Sequence, residues 1–387
     1  MELDKYTAEI YRCIHCGYCR EMYRSADGTY GICPVGRKKG FDSYYARGRM
    51  LIAKGLYEGY IKPDNSLAHR LASCTICGNC EAHCPAEISH TAIVEAFRSD
   101  LVKSGVPLLA PHREMVRDIN AEYNPYTEPH SRRLEWLGNT DLSKKAEVVY
   151  FVGCTSSYRR QEIARATLET LRKIGSKFTI LKDERCCGSP LLRIGERNLP
   201  RDLARHNVRQ ISETGASTVI FSCAGCYRTF KKDYPGIVER MNFDTFHVSE
   251  YLSKALGDTK LKQNPLGITR ITYHDPCHLG RHLKVYDAPR MVLAYLPKVS
   301  LTEMKTNRAN AFCCGAGGGF RKAFPNLSID IAKDRVAEAE LTGAQALISS
   351  CPFCKTSLSL AADQIQSTIR VLDLTELLNI SLDSKSL

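Results

Sequence analysis

The chain has 387 residues, 18 of them cysteine, and a formal charge of +12 at neutral pH. No apolar run approaches the eighteen or so residues of a membrane helix, and the chain opens on Met1-Glu2-Leu3-Asp4-Lys5 in place of an apolar leader. A membrane-spanning protein and a short disulfide-stapled secreted domain are thereby excluded, and the cysteines are expected to be reduced, cytoplasmic and metal-binding.

Residues 1–100 carry two runs with ferredoxin spacing. Cys13, Cys16 and Cys19 lead to Cys33-Pro34, and Cys74, Cys77 and Cys80 lead to Cys84-Pro85. Cys-x-x-Cys-x-x-Cys puts three thiolates on one tight loop, and a distant Cys-Pro supplies the fourth corner of a cubane [4Fe–4S] cluster. In two-cluster ferredoxins that fourth cysteine crosses to the other cluster. The expected sets are therefore Cys13, Cys16, Cys19 and Cys84 for the first cubane, and Cys74, Cys77, Cys80 and Cys33 for the second. The first run departs from the pattern, because thirteen residues, Arg20 to Ile32, separate Cys19 from Cys33. Zinc bound by paired Cys-x-x-Cys motifs leaves the third cysteine of each loop without a role. A small, mostly helical domain that depends on its clusters is expected here. Arg37, Lys38 and Lys39, with Arg47 and Arg49, form a basic stretch that could face solvent or dock an acidic partner.

Residues 101–146 hold Pro107, Pro111, Pro125 and Pro129 among polar residues and read as a wrapping connector. An internal repeat follows, 147–268 and 269–378, ahead of a short polar tail, 379–387. Each half has one cysteine, a vicinal Cys-Cys-Gly, then Cys-x-x-Cys. The first half has Cys154, Cys186, Cys187, Cys223 and Cys226, and the second has Cys277, Cys313, Cys314, Cys351 and Cys354. Apolar, β-branched runs at 148–152, 218–221, 271–273 and 346–348 end just ahead of cysteines. Helical stretches rich in Ala, Leu, Arg and Glu lie at 160–173, 199–213 and 330–342. Continuous apolar strands alternating with helices predict parallel sheets covered on both faces. Ligands in such folds sit beyond the carboxyl ends of strands, where these cysteines fall. The expected fold class is α/β, with an α-helical ferredoxin-like N-terminal domain and two pseudo-symmetric Rossmann-like repeats.

Five cysteines are one more than a cubane uses. The extra thiolate points to a bridging ligand, a reactive thiol or a more open cluster. Gly188, and Gly315 with Gly317, Gly318 and Gly319, allow close backbone approach to anionic sulfur. The glycine run lacks the Lys-Ser/Thr ending and the spacing of a nucleotide loop.

Residues 147–378 resemble the tandem cysteine-rich CCG domains of heterodisulfide reductases, and with the two ferredoxin-type runs the whole chain is similar to their D subunit. The resemblance implies two noncubane [4Fe–4S] clusters, one on each set of five cysteines, beside the two cubanes. It implies an oxidoreductase subunit that reduces a disulfide such as coenzyme M–S–S–coenzyme B to two thiols. Electrons would come from another subunit, whether a membrane cytochrome, a flavoprotein or a cytosolic donor. The same layout occurs in electron-transfer subunits of lactate, glycolate and glycerol-3-phosphate dehydrogenases, which supplies the alternative of a relay. Complete ligand sets in both repeats favour the reductase. A thioredoxin-like dithiol at Cys223/Cys226 or Cys351/Cys354 explains only two of the five sulfurs.

The candidate catalytic residues are Cys187, Cys314, His274 and His278. A histidine beside a cluster could donate a proton to a leaving thiolate, or order the loop ahead of Cys277. The first repeat has Phe151-Val152-Gly153-Cys154-Thr155 where the second has His274-Asp275-Pro276-Cys277-His278, so a paired histidine role is excluded. With all thiols ligating four cores, the net charge falls to roughly +2, and nucleic acid is not needed to explain the basic side chains. Arg201, Arg205 and Arg209 share one helix face and could hold an anionic group or simply face solvent.

Overall fold

The computed structural model describes residues 1–25, 28–138, 140, 143–257, 261–262 and 265–382. The N-terminal part is helical around a core of Leu3, Ile10, Met50, Leu71, Ile93 and Phe97. Its central helix, His90–Lys103, is buried along most of its length. The residues between Cys19 and Cys33 include an antiparallel ribbon, β1 (Glu21–Ser25) and β2 (Gly28–Gly31). The Ile32 amide donates to the Arg20 carbonyl at 2.8 Å, closing the base of that ribbon. A ribbon takes up length while bringing its ends together, so the insertion returns Cys33 toward the loop it left.

Helices occupy much of the connector expected at 101–146. Helix Ala110–Glu122 carries Pro111 in its first turn, where the missing N–H has no helical partner to lose. Its Met115 and Ile119 pack with Leu191, Ile194 and Leu203 of the first repeat. A 3-10 segment, His130–Leu137, then buries Trp136 in the cluster that holds Val148 and Tyr150.

Each repeat builds one four-stranded parallel sheet. The first comprises β3 (Val148–Phe151), β4 (Phe178–Thr179), β5 (Thr218–Phe221) and β6 (Asp244–His247), in the order β4-β3-β5-β6. The second comprises β7 (Arg270–His274), β8 (Ser300–Leu301), β9 (Ala346–Ser349) and β10 (Arg370–Asp373), in the order β10-β9-β7-β8. The first sheet therefore runs 2-1-3-4, and the second, read from its other edge, does the same. This refines the Rossmann-like expectation, because the dinucleotide-binding order begins 3-2-1-4, whereas 2-1-3-4 is the flavodoxin-like arrangement. Strands β3 and β9 are buried at every position, as their continuous apolar sequences require.

The two halves exchange helices. Helix Val248–Ala255 follows the last strand of the first sheet, yet Val248, Leu252 and Leu256 pack with Ile271, Tyr273 and Val292 of the second half. Reciprocally, helix Leu374–Asn379 lies against helix Gln161–Lys173, where Thr167 Oγ1 donates to Thr375 Oγ1 at 3.1 Å and Lys173 Nζ donates to the Asn379 carbonyl at 2.8 Å. Full burial of each such leucine contributes about 1.5–3 kcal/mol, so neither half covers its sheet alone. The boundary expected at 268/269 is thus a boundary in sequence, crossed by packing on both sides. Within the stretch expected as a tail, 379–387, Leu382 is buried and bridged to Leu261, and 383–387 lie outside the described residues.

Candidate metal centres

Two cavities in the N-terminal part are lined by cysteine. One is lined by Cys13, Cys16, Cys19 and Cys84 together with Arg47 and His90. The other is lined by Cys33, Cys74, Cys77 and Cys80 together with Arg49 and His90. The loops that present them share an unusual backbone. His15 and Ile76, each the residue before the middle cysteine, both have φ of 53°, and Gly17 and Gly78 after those cysteines have φ of 84° and 72°. Non-glycine residues held left-handed at matching positions mark a functional constraint. Cys33 also caps helix Pro34–Lys39, the Gly36 amide donating to its Sγ at 3.3 Å.

The side chains around these cavities suit an anionic guest. Arg47 Nε, Arg49 Nε and His90 Nδ1 are buried without a hydrogen-bond partner. Arg49 lies beside Cys74, Cys33 and Cys80, and although burial acts against its charge, these sulfurs raise its pKa. The buried Arg98 directs its donors at the carbonyls of Leu71, Ala72, Cys74, Arg193 and Gly318. Burial pushes the Cys19 thiol up to about 11 and raises Cys33 as well, so loading metal there must displace protons. A donor set of four converging sulfurs with unpaired N–H groups fits an iron–sulfur cluster in each cavity.

The ten remaining cysteines are all buried. Cys154 and Cys277 follow the first strand of each sheet, and Cys223 and Cys351 follow the third, so each set sits where strand order reverses. At the vicinal pairs the backbone turns an amide onto sulfur: Gly188 N donates to Cys186 Sγ at 3.4 Å, and Gly315 N donates to Cys313 Sγ at 3.3 Å. The two members of each pair face different neighbours. Cys186 meets Cys154 while Cys187 meets Cys226, and Cys313 meets Cys277 while Cys314 meets Cys354. The Cys314 and Cys354 sulfurs lie 3.3 Å apart. At the junction of the repeats Cys223 meets Cys351. At the other end Cys313 meets Cys77. The sulfurs thus form one string, from Cys154 through both repeats into the second cavity.

The predicted histidines sit on this string. His274 places a ring nitrogen with the Cys314 and Cys354 sulfurs, all within 4.8 Å of one another. His278 is buried, stacks edge-on with His282 at 4.9 Å, and leaves Nε2 unpartnered. Burial, then Arg228 and Arg193, pushes its pKa well below the ordinary value; an anionic cluster beside it would act in the opposite sense. Of the basic residues picked out in sequence, Arg47 and Arg49 line the cavities, whereas Arg37, Lys39, Arg201, Arg205 and Arg209 are exposed. Lys38 pairs with Asp334 at 2.7 Å. The glycine run packs the cavity loop onto the second repeat: a Cβ at Gly317 would stand 2.8 Å from the Thr75 carbonyl oxygen, and one at Gly318 would stand 2.9 Å from that of Cys74. Sequence reasoning missed His90, Arg98, Arg193 and Arg335, whose only local signal is a polar residue inside an otherwise apolar helical face.

Residues 148–231 and 271–359 match the family described as a cysteine-rich domain, and residues 9–88 match that described as a 4Fe-4S dicluster domain. The chain is 37% identical over 381 residues to the D subunit of the dihydromethanophenazine:CoB–CoM heterodisulfide reductase of Methanosarcina barkeri, spanning 95% of this chain and 93% of that one. The B subunit of the fumarate reductase (CoM/CoB) of Methanothermobacter marburgensis is 31% identical over 314 residues, spanning 80% of this chain and 61% of that one. Among solved structures, a hypothetical protein from Helicobacter pylori superposes with a TM-score of 0.56 at 12% identity, over 87% of this chain and 68% of that one, a likeness of fold alone.

Proposed function

From the membership of this chain in the heterodisulfide reductase D-subunit family, we propose that it is the iron–sulfur subunit of a heterodisulfide reductase-type complex, reducing a small-molecule disulfide to two thiols. The observation that carries this reading is the unbroken string of cysteines joining two complete five-cysteine sets to Cys77. The cofactors proposed are two cubane and two noncubane [4Fe–4S] clusters on the sets named above.

Reduction of one disulfide consumes two electrons and two protons. Clusters held by these cysteines would supply one-electron transfer, and two pseudo-symmetric sites meeting at Cys223 and Cys351 suit a two-electron bond cleavage. The chain's own contribution is to hold the ten sulfurs dry, to fix Cys186 and Cys313 by the amides of Gly188 and Gly315 beside Cys187 and Cys314, to keep His274 against Cys314 and Cys354, and to bury His278 next to Cys277. Thiol–disulfide exchange through a single Cys-x-x-Cys would leave the other three sulfurs of each set unused. The proposed partner subunits deliver electrons at the first cavity, whose Cys16 is exposed beside Ile14 at 72% and Tyr18 at 45% exposure. Among the described residues no helix is long and apolar enough to cross a membrane.

The test is anaerobic EPR of the reduced holoprotein during oxidation with candidate disulfides and thiols, the coenzyme M–coenzyme B pair first. A thiol-dependent cluster signal, lost in Cys187→Ser or Cys314→Ser while cubane signals persist, is expected. Clusters that titrate normally but ignore every thiol and disulfide would make the chain a relay.

A further inference from the structure

The two five-cysteine sites carry the same ligands against different walls. Strand β3 ends in Phe151 where β7 ends in His274, each three residues before the first cysteine of its set. Phe151 packs on Phe221 and Phe230, with ring centroids 5.4 and 4.9 Å away. His274 is 1% exposed and lies against Cys314 and Cys354. Arg335 Nε donates to its Nδ1 at 3.1 Å. A guanidinium has only donors, so Nδ1 holds the lone pair and the ring proton sits on Nε2, the atom left without a partner. Arg335 is itself fully buried and donates to the Thr306 carbonyl at 2.8 Å and to Glu338 Oε2 at 2.6 Å. Both partners hold the guanidinium in place.

We propose that Arg335 aims the Nε2–H of His274 at sulfur of the second five-cysteine site, so that this site accepts an electron before the first. The inference rests on the reading that both sets hold iron–sulfur clusters; it does not require that they turn over a disulfide. An N–H bonded to a cluster sulfur favours the more negative, reduced state and raises the reduction potential. Phe151 offers no such donor. The second site is also the one whose Cys313 meets Cys77, so along the string of sulfurs it lies between the second cavity and the first five-cysteine site. A histidine acting instead as an iron ligand would need its lone pair at Nε2, which would set a proton on Nδ1 against the Arg335 donor.

The experiment is an anaerobic redox titration of the full-length holoprotein, followed by EPR. In the wild type, the two five-cysteine clusters are expected to titrate separately. His274→Phe lowers the more positive potential toward the other and leaves the remaining clusters unmoved. His274→Gln, which keeps an N–H and less strain, retains part of the separation. Arg335 acts only through His274, so Arg335→Gln narrows the separation and Arg335→Lys restores some of it. Pulsed EPR on protein carrying ¹⁵N-histidine is expected to show the weak coupling of a hydrogen bond. The inference is overturned if His274→Phe leaves the separation intact, if both sites shift equally, or if nitrogen is coupled directly to iron. Iron and sulfide short of four clusters in the wild type would instead sink the cofactor reading beneath it.

Discussion

The two repeats share strand order, cysteine number and the amide-to-sulfur turn at the vicinal pair, yet they meet the N-terminal part by different contacts. The second repeat touches it at the cluster loop itself, with Cys313 on Cys77, Gly317–Gly318 on the loop of Cys74 and Thr75, and Arg281 Nε donating to the Cys77 carbonyl at 2.7 Å. The first meets it through buried charge: Glu95 sits between Arg193 at 2.9 Å and Arg228 at 3.2 Å, and Arg193 also pairs with Asp233. The walls differ as well, aromatic around Phe151 and polar around His274. Duplicating a metal-binding unit leaves its ligands alike, because each cluster needs the same sulfurs. The surroundings are free to diverge, and on the proposal above they make one copy the recipient of electrons and the other the far end of the string.

Substitutions can break that difference. The largest effect is expected from Cys313→Ser, which should slow reduction of both five-cysteine sites by the physiological donor, whereas Cys186→Ser should spare the second; freeze-quenched EPR distinguishes them. Next comes Glu95→Ala, which leaves Arg193 and Arg228 buried without their shared carboxylate and should cost about 3–5 kcal/mol, read by denaturant unfolding. Gly318→Ala is milder. It places a Cβ on a residue with φ of +67°, 2.9 Å from the Cys74 carbonyl oxygen, for a cost of about 1–3 kcal/mol, and should loosen the second cavity, measured as iron released to a chelator.

A pH-dependent effect sharpens the helix exchange. Asp373 caps helix Leu374–Asn379, accepting from Thr375 N at 2.9 Å, and burial, then Glu376, raises its pKa from 3.8 to about 7. A carboxyl raised in the folded state binds its proton more tightly there than in the unfolded chain. Its contribution to stability is present below pH 3.8 and is lost as pH rises toward 7. Asp373→Asn keeps the capping oxygen and should flatten the stability profile across that window; an unchanged slope in thermal melts would count against the assignment.

The cysteine sets and the four central strands, β3, β5, β7 and β9, were legible because their causes are local. A cluster loop must offer thiolates at short spacing, and a strand covered on both faces must be apolar throughout. Strands Phe178–Thr179 and Ser300–Leu301 were not legible, being two residues each and too short for any period to register. The helix in the connector was not legible, because proline reads as a break unless it falls in a helix's first turn, as Pro111 does. Nor does anything local separate Arg47 and Arg49, which line cavities, from Arg37 and Lys39, which face water.

By itself, then, the sequence determined the chemistry: cysteine spacing implies four sulfur sets, and the repeated pattern implies two matching α/β halves. Only the tertiary structure decided how those sets connect. Cys77 reaches Cys313, Cys223 reaches Cys351 and Arg335 reaches His274 across dozens to hundreds of residues. The helices that cover each sheet are likewise exchanged between halves. Such contacts are made by buried area and hydrogen-bond geometry summed over the whole core, and no local period in the chain encodes them.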